Sequence, residues 1–163
     1  HLDERGLIDD TLILFTADHG DYLGNNWAFF KYGAQYGSLS RIPFLLRWPE
    51  HVPAGAECRD MVSLIDIAPT IGEATELSPI DPMDGRSILP VLTGEAEDWR
   101  DHLVLNGKPR CVVNAQWKYL LWPDGFEELY DRQADPHELH NRVSDPPLSP
   151  IRDAMHAELA EGN

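Results

Sequence analysis

The stretch Thr11-Leu12-Ile13-Leu14-Phe15-Thr16-Ala17-Asp18-His19-Gly20-Asp21 decides how this chain is read. Its near-continuous apolar run, with β-branched and aromatic members, predicts a strand buried on both faces, the kind found inside a parallel α/β sheet. The run stops at a carboxylate, an imidazole and a glycine. In open α/β sheets ligands bind beyond the carboxyl ends of the strands, and a glycine there lets the backbone turn sharply and approach a ligand. Asp18 and His19 are therefore candidate ligands of a divalent cation: an oxygen and a neutral imidazole nitrogen on adjacent residues give two ligands of a site that recruits the rest from elsewhere. The competing reading makes Asp18 the cap of the following turn and His19 a surface residue.

Outward from this stretch, residues 1–7 read as the end of a helix closed by Gly6. After it, Asp21 to Ser40 is a long irregular passage rich in Gly, Asn and aromatics, with Lys31 inside Trp27-Ala28-Phe29-Phe30-Lys31-Tyr32-Gly33. A loop of that length is uncommon in a compact domain and is usually functional, so it is expected to line the site. Asp21 is read either as orienting His19 or as stabilising the turn. Arg41 is expected to position the loop through backbone or carboxylate bonds. Ile42-Pro43-Phe44-Leu45-Leu46-Arg47-Trp48-Pro49 predicts a second short strand bracketed by prolines. In Met61 to Gly72 an extended start gives way to a helix, with Asp66 as its cap and Pro69 in its first turn. Asp84-Gly85-Arg86-Ser87 makes a turn before a short helix, Ile88 to Leu92, that stops at Gly94.

From Asp98 the pattern changes. His102 to Leu105, Cys111 to Asn114, Trp117 to Trp122 and Glu128 to Asp131 are short runs at even spacing, separated by Gly, Pro, Asn and Asp, which predicts an antiparallel meander of about four strands. Trp117, Trp122 and Tyr130 are assigned to its core. Ile151, Met155 and Leu159 mark one face of a terminal amphipathic helix. The expected division is residues 1–97 as an α/β portion and 98–163 as a small antiparallel-sheet subdomain with the helix. The strands at 12–17 and 43–48 lack enough partners in this chain to cover both edges, and unpaired interior strands are aggregation sites. The chain is therefore expected to be the C-terminal part of a larger α/β protein.

Composition narrows the function classes. A formal net charge of −15 over 163 residues leaves no basic stripe for phosphate backbones or anionic membranes, so nucleic acid is not an expected partner. One lysine or a bound cation can still reverse the local field for a small anion. Cys58 and Cys111 are too few for a disulfide framework and are expected to be free thiols. No apolar run is long enough to span a membrane, and the compartment, cytoplasmic or periplasmic/secreted, is left open.

The ordered succession of Thr16-Ala17-Asp18-His19-Gly20-Asp21, Lys31, Tyr36 to Pro43, Asp66-Ile67-Ala68-Pro69-Thr70, Asp84-Gly85-Arg86-Ser87, Trp117-Lys118-Tyr119, Glu128-Leu129-Tyr130-Asp131, Asp135-Pro136-His137-Glu138 and Asn141 resembles the C-terminal half of the type I sulfatases, in the alkaline-phosphatase-like superfamily. The resemblance implies that Asp18 and His19 bind a divalent metal, calcium first with manganese or zinc as alternatives, and that Lys31 contacts the sulfate and acts in catalysis. It also implies an alkaline-phosphatase-like parallel-sheet domain followed by a small antiparallel sheet with a terminal helix. The implied substrate is a sulfate ester, either a small molecule or a sulfated glycan. The histidine in the pair looks more like members that hydrolyse phosphonate monoesters and phosphodiesters, which is the alternative function. A non-catalytic relative acting as a binding or structural module is the alternative of a different kind.

Departures accompany the match. Asn26 stands where many relatives have a histidine, and Gly37 and Ser38 stand where acidic residues often follow the loop tyrosine. The nucleophile of the family is a formylglycine made from a Cys or Ser in a Cys/Ser-x-Pro-x-Arg motif, and neither Cys58 nor Cys111 lies in one. The resemblance places that motif, with further metal ligands, in an N-terminal half, which is therefore the expected partner of this chain and without which it should be inactive.

Overall fold

The computed structural model describes residues 1–31, 33–77 and 83–161. The chain divides into two compact units, residues 1–17 with 43–100 and residues 18–42 with 101–163. The passage around the candidate site thus belongs with the meander, whereas the sequence reading grouped it with the preceding α/β portion.

In the first unit, β1 (Ile13–Thr16) pairs with β2 (Phe44–Arg47), with Ile13 opposite Arg47 and Thr16 opposite Phe44. The pairing is antiparallel, where a parallel arrangement was expected. A run of apolar residues reports that faces are to be covered and carries no information on strand direction. Phe15 and its cross-strand neighbour Leu45 are exposed, so burial on both faces is not met within the described residues. The opening segment is a single 3₁₀ turn, Asp3–Arg5, closed by a left-handed Gly6 as anticipated.

The rest of this unit is organised by Asp66, whose side chain is fully buried. A 3₁₀ turn, Leu64–Asp66, precedes α2 (Ile67–Ala74), and the Asp66 carboxylate reaches back to accept the Ser63 N–H at 2.8 Å. It therefore closes a capping box on the earlier turn and does not cap α2, the role read from sequence. The same carboxylate accepts the Arg86 N–H at 3.0 Å and a bidentate pair of bonds from Arg100 at 2.8 and 2.7 Å. Both guanidinium groups lie over the Trp99 ring. The approach of the 84–87 turn needs Gly85, because a Cβ there would lie 2.0 Å from the Ile65 carbonyl oxygen. Thr70 donates to the Asp66 carbonyl at 2.5 Å and accepts the Ile88 N–H at 3.1 Å, at the entry to α3 (Leu89–Thr93). The two motifs Asp66–Thr70 and Asp84–Ser87 are thus one buried knot.

In the second unit, β3 (His102–Leu105), β4 (Arg110–Asn114), β5 (Trp117–Leu121) and β6 (Glu127–Asp131) form an antiparallel meander in chain order. The expected topology is present, with bounds shifted by a residue. One face carries Val112, Tyr119 and Leu129 and is covered by Met155 and Leu159 of α4 (Ser149–Glu161). The opposite face carries Cys111, Leu120 and Tyr130 and packs against Ala34 and Tyr36 of the long loop. Cys111 and Cys58 are free thiols, and burial pushes the Cys111 thiol up to about 12.

Met155 is central to the α4 contact and 5% exposed. Met155→Ala should lower unfolding free energy by about 2–5 kcal/mol, the range for emptying a buried Met site, read from the midpoint of urea denaturation. A loss below about 0.5 kcal/mol, the scale of a surface substitution, would show that α4 does not seal this face.

Candidate active site

All three candidate residues, Asp18, His19 and Lys31, lie in the passage 18–42 of the second unit. What holds that passage against the meander therefore sets their geometry. Tyr22 is fully buried and donates to the Ala34 carbonyl, closing the loop across its base. Tyr36 donates to Glu128 at 2.7 Å, and the same carboxylate accepts from Tyr130 at 2.6 Å and from Trp122 Nε1 at 2.6 Å. Three donors on one buried carboxylate satisfy it without a cation. Burial, followed by the bond to Glu128, raises the phenol pKa values of Tyr36 and Tyr130 well above the ordinary range, so both stay donors. The rings of Tyr22, Tyr36 and Tyr130 meet edge to face in sequence, at 6.3 and 5.9 Å between centroids.

Behind this network lies a buried ion pair. Lys118 Nζ sits 2.7 Å from Glu138 Oε1, with side chains 2% and 3% exposed. Lys118 also donates to the Gln35 carbonyl at 2.8 Å and to Ser40 Oγ at 3.3 Å, while Glu138 Oε2 accepts the Gly37 N–H at 2.7 Å. These contacts bracket the single-turn helix α1 (Gly37–Ser40). The Glu138 carbonyl accepts a further bond from Asn26 Nδ2 at 3.0 Å. Asn26 is thereby explained as a tether of the loop.

At the site itself, the Gly20 N–H donates to the Leu39 carbonyl at 2.8 Å, drawing residues 18–20 onto α1. A Cβ on Gly20 would lie 2.0 Å from the Ser38 carbonyl oxygen, so only glycine permits this approach. The Gly20 carbonyl in turn lies 2.7 Å from His19 Nδ1. A carbonyl can only accept, so in the neutral ring Nδ1 carries the hydrogen and Nε2 holds the lone pair. Nε2 lies 3.5 Å from Asp18 Oδ2. Two donors at metal–ligand distances of about 2.0–2.5 Å and an angle near 90–110° stand about 3–4 Å apart, so this pair fits one cation. Asp18 Oδ1 meanwhile accepts the His19 N–H at 2.9 Å. The turn-stabilising bond of Asp18 uses Oδ1, and a different oxygen, Oδ2, faces His19 Nε2. With a protonated ring, the same 3.5 Å separation would be an ion pair.

Among the described residues no third His, Cys, Asp or Glu joins the pair in a group of three. Asp21 accepts the Leu23 N–H at 3.0 Å, the turn-stabilising role, and His19 is oriented by the Gly20 carbonyl instead. Arg41 and Lys31 are exposed. Lys31 sits between the two tethered points of the loop, Asn26 and Gln35, and follows Phe30, whose φ is +66°. Leu23, Asn26 and Trp27 also have φ between +48° and +59°, a left-handed conformation unfavourable for side chains with a Cβ. Lys118 and Glu138 stand in two of the family-like motifs, Trp117-Lys118-Tyr119 and Asp135-Pro136-His137-Glu138, but the sequence reading gives neither a role. The signal for burial was a lysine at a strand position flanked by apolar residues, on a sheet whose runs are too apolar for either face to meet water.

The family of N-sulphoglucosamine sulphohydrolase, C-terminal, matches residues 25–163. The chain belongs to this family. Arylsulfatase K of Gallus gallus is 34% identical over 157 residues, covering 86% of this chain and 29% of that protein. Among solved structures, the phosphonate monoester hydrolase of Agrobacterium radiobacter superposes with a TM-score of 0.86 at 28% identity, over 98% of this chain and 36% of the other. The structure of BT4656, described in complex with its substrate D-glucosamine-2-N,6-O-disulfate, matches with a TM-score of 0.89 at 24% identity over 99% of this chain and 35% of the other, which speaks for the fold. The C-terminal sulphohydrolase fold is thus that of alkaline-phosphatase-like sulfatases. The chain spans about a third of the length of each of these three proteins.

Gly20→Ala should force the Ser38 carbonyl away and destabilise the second unit by about 1–3 kcal/mol, the usual range for overpacking, measured by denaturant unfolding. A stability change within about 0.5 kcal/mol would mean that the Gly20–Ser38 approach is not held in solution.

Proposed function

We propose that this chain is the C-terminal portion of a metal-dependent sulfuric ester hydrolase. In this reading Asp18 and His19 hold part of a divalent-cation site, and Lys31 meets the sulfate. The observation that carries it is the 2.7 Å contact of His19 Nδ1 with the Gly20 carbonyl, which assigns the hydrogen to Nδ1 and leaves Nε2, 3.5 Å from an Asp18 oxygen, with its lone pair, in a member of a sulfatase family. Calcium is the first candidate, and the imidazole ligand keeps manganese and zinc as alternatives. A cation bound there would supply Lewis-acid polarisation of the ester.

The chain's own residues have distinct tasks. Asp18 supplies an anionic oxygen, His19 a neutral nitrogen, and the Gly20 carbonyl holds the hydrogen on Nδ1 so that the ring keeps its orientation. The Lys31 ammonium would neutralise charge that develops on sulfate oxygens, and its exposure on a loop anchored at both ends supports that role. The substrate is a sulfate ester, either a small molecule or a sulfated glycan. An N-terminal half would bring the formylglycine nucleophile and the remaining ligands, so that this chain alone is inactive. The relatives' threefold greater length supports that requirement, as do the exposed Phe15 and Leu45 of a two-stranded sheet. Phosphonate monoester or phosphodiester hydrolysis is the second reading, favoured by the 28% identity to a phosphonate monoester hydrolase.

In the full-length protein, assays with an aryl sulfate and a phosphonate monoester should show the sulfate ester turned over with the higher kcat/KM; the reverse order would establish the second reading. Asp18→Ala should lower metal content and activity together, whereas activity lost at full metal content would remove Asp18 from the ligand set. Lys31→Ala should lower kcat by roughly 10- to 1000-fold, the range for removing one group that stabilises transition-state charge. An unchanged kcat would return Lys31 to the solvated surface.

A further inference from the structure

The geometry points to Lys118 and Glu138 as the positioning residues of the candidate metal site. This inference rests on the reading of Asp18 and His19 given above, and it assigns a role to a buried ion pair outside the site. A buried charge pair is weak evidence for stability, because an apolar replacement of similar volume does as well or better. What this pair does that apolar side chains could not is direct hydrogen bonds to the backbone of one short helix. Lys118 binds the Gln35 carbonyl at 2.8 Å and Ser40 Oγ at 3.3 Å, so it grips the segment before α1 and its last residue. Glu138 binds the Gly37 N–H at 2.7 Å, so it grips the first residue.

From α1 the path to the metal pair is two hydrogen bonds long. The Leu39 carbonyl accepts the Gly20 N–H at 2.8 Å, and the Gly20 carbonyl accepts Nδ1–H of His19 at 2.7 Å. The two backbones meet closely along that path, since a Cβ on Gly20 would lie 2.0 Å from the Ser38 carbonyl oxygen. A shift of α1 therefore moves Gly20, and a shift of Gly20 releases the bond that fixes which His19 nitrogen bears the hydrogen. The turn at Glu138 also holds the other side of the loop through Asn26, at 3.3 Å to the His137 carbonyl and 3.0 Å to the Glu138 carbonyl. Glu138 is itself held at φ +56°, a left-handed conformation that a glutamate adopts only where its surroundings require it. One turn thus anchors both flanks of the segment that carries Lys31.

The test reads His19 directly. In the full ¹⁵N-labelled chain at a pH where the ring is neutral, long-range ¹H–¹⁵N correlation should show Nδ1 protonated and Nε2 bare. In the paired variant Lys118→Met with Glu138→Leu, which leaves no buried charge, His19 should shift to a mixture of both tautomers. Exchange of the Gly20 and Gly37 amides should accelerate at least tenfold, while the Val112 and Tyr119 amides of the interior strands β4 and β5 keep their rates. Unchanged tautomer and exchange at Gly20 and Gly37, with sheet protection intact, would overturn the inference.

If sheet protection is lost in that variant, exchange of the unaltered chain in rising urea decides. Gly20 and Gly37 amides opening as one unit with a shared urea dependence supports the clamp, and Gly20 opening independently of Gly37 overturns it. A shifted tautomer in the variant, together with no uptake of Ca²⁺, Mn²⁺ or Zn²⁺ by the unaltered full-length protein, would support the positioning role and defeat the metal reading separately.

Discussion

The second unit depends on a sheet with no face for water. In β4, Cys111, Val112 and Val113 are all buried in succession, and in β5 so are Lys118, Tyr119 and Leu120. An antiparallel meander usually shows alternation, one face to the core and one to solvent. Here the alternation is between two cores. Val112, Tyr119 and Leu129 look toward α4, and Cys111, Leu120 and Tyr130 look toward the loop around Ala34 and Tyr36. The loop is therefore as much a structural layer as the helix, which explains why a passage with so little regular structure has a defined course.

Placing a polar loop over an apolar face creates a second requirement. Its backbone groups must find partners there, since unsatisfied buried N–H and C=O groups are costly. The sheet meets this by carrying two charged residues on that face. Glu128 gathers the hydroxyls of Tyr36 and Tyr130 and the indole of Trp122, and Lys118, paired with Glu138, takes the Gln35 carbonyl and Ser40. Removing one member of such a pair leaves an uncompensated buried charge, whereas removing both leaves backbone groups without partners. The ion pair is thus best understood as an adaptor between a loop's backbone and a sheet.

Much of this was legible from the residues. The four meander strands announced themselves by even spacing and turn residues, and the Ile151, Met155, Leu159 face of α4 by helical period, because both signals are local. The Asp18-His19-Gly20 stop nominated a candidate ligand pair from equally local residue types, which is a proposal and not a feature of the fold. Three things were not legible. The direction of β2 against β1 leaves no trace in a run of apolar side chains. The buried Asp66 looked like a helix cap because the 3₁₀ turn before α2 and the Arg100 partner 34 residues on are tertiary facts. The Lys118–Glu138 pair joins residues 20 apart in sequence to a loop 78 to 83 residues upstream of the lysine, and no periodicity encodes that.

The same distinction separates the chemistry of the site from its support. Residue type alone nominates an aspartate and a histidine as metal ligands, but it does not say which imidazole nitrogen is available. That depends on the Gly20 carbonyl 2.7 Å from Nδ1. The carbonyl's position depends in turn on Gly20 lying where no Cβ could fit against Ser38. Exchange of Gly20 for any other residue would therefore alter His19 without touching its ring. A tautomer set by a backbone carbonyl is also less exposed to drift than one set by a mobile side chain, because this carbonyl moves only with backbone that the Gly20 N–H ties to α1. Under the proposed metal reading, Asp18-His19-Gly20 would act as a three-residue device, two candidate ligands and the glycine whose carbonyl orients one of them, so that the glycine would belong to the chemistry as fully as the two side chains before it.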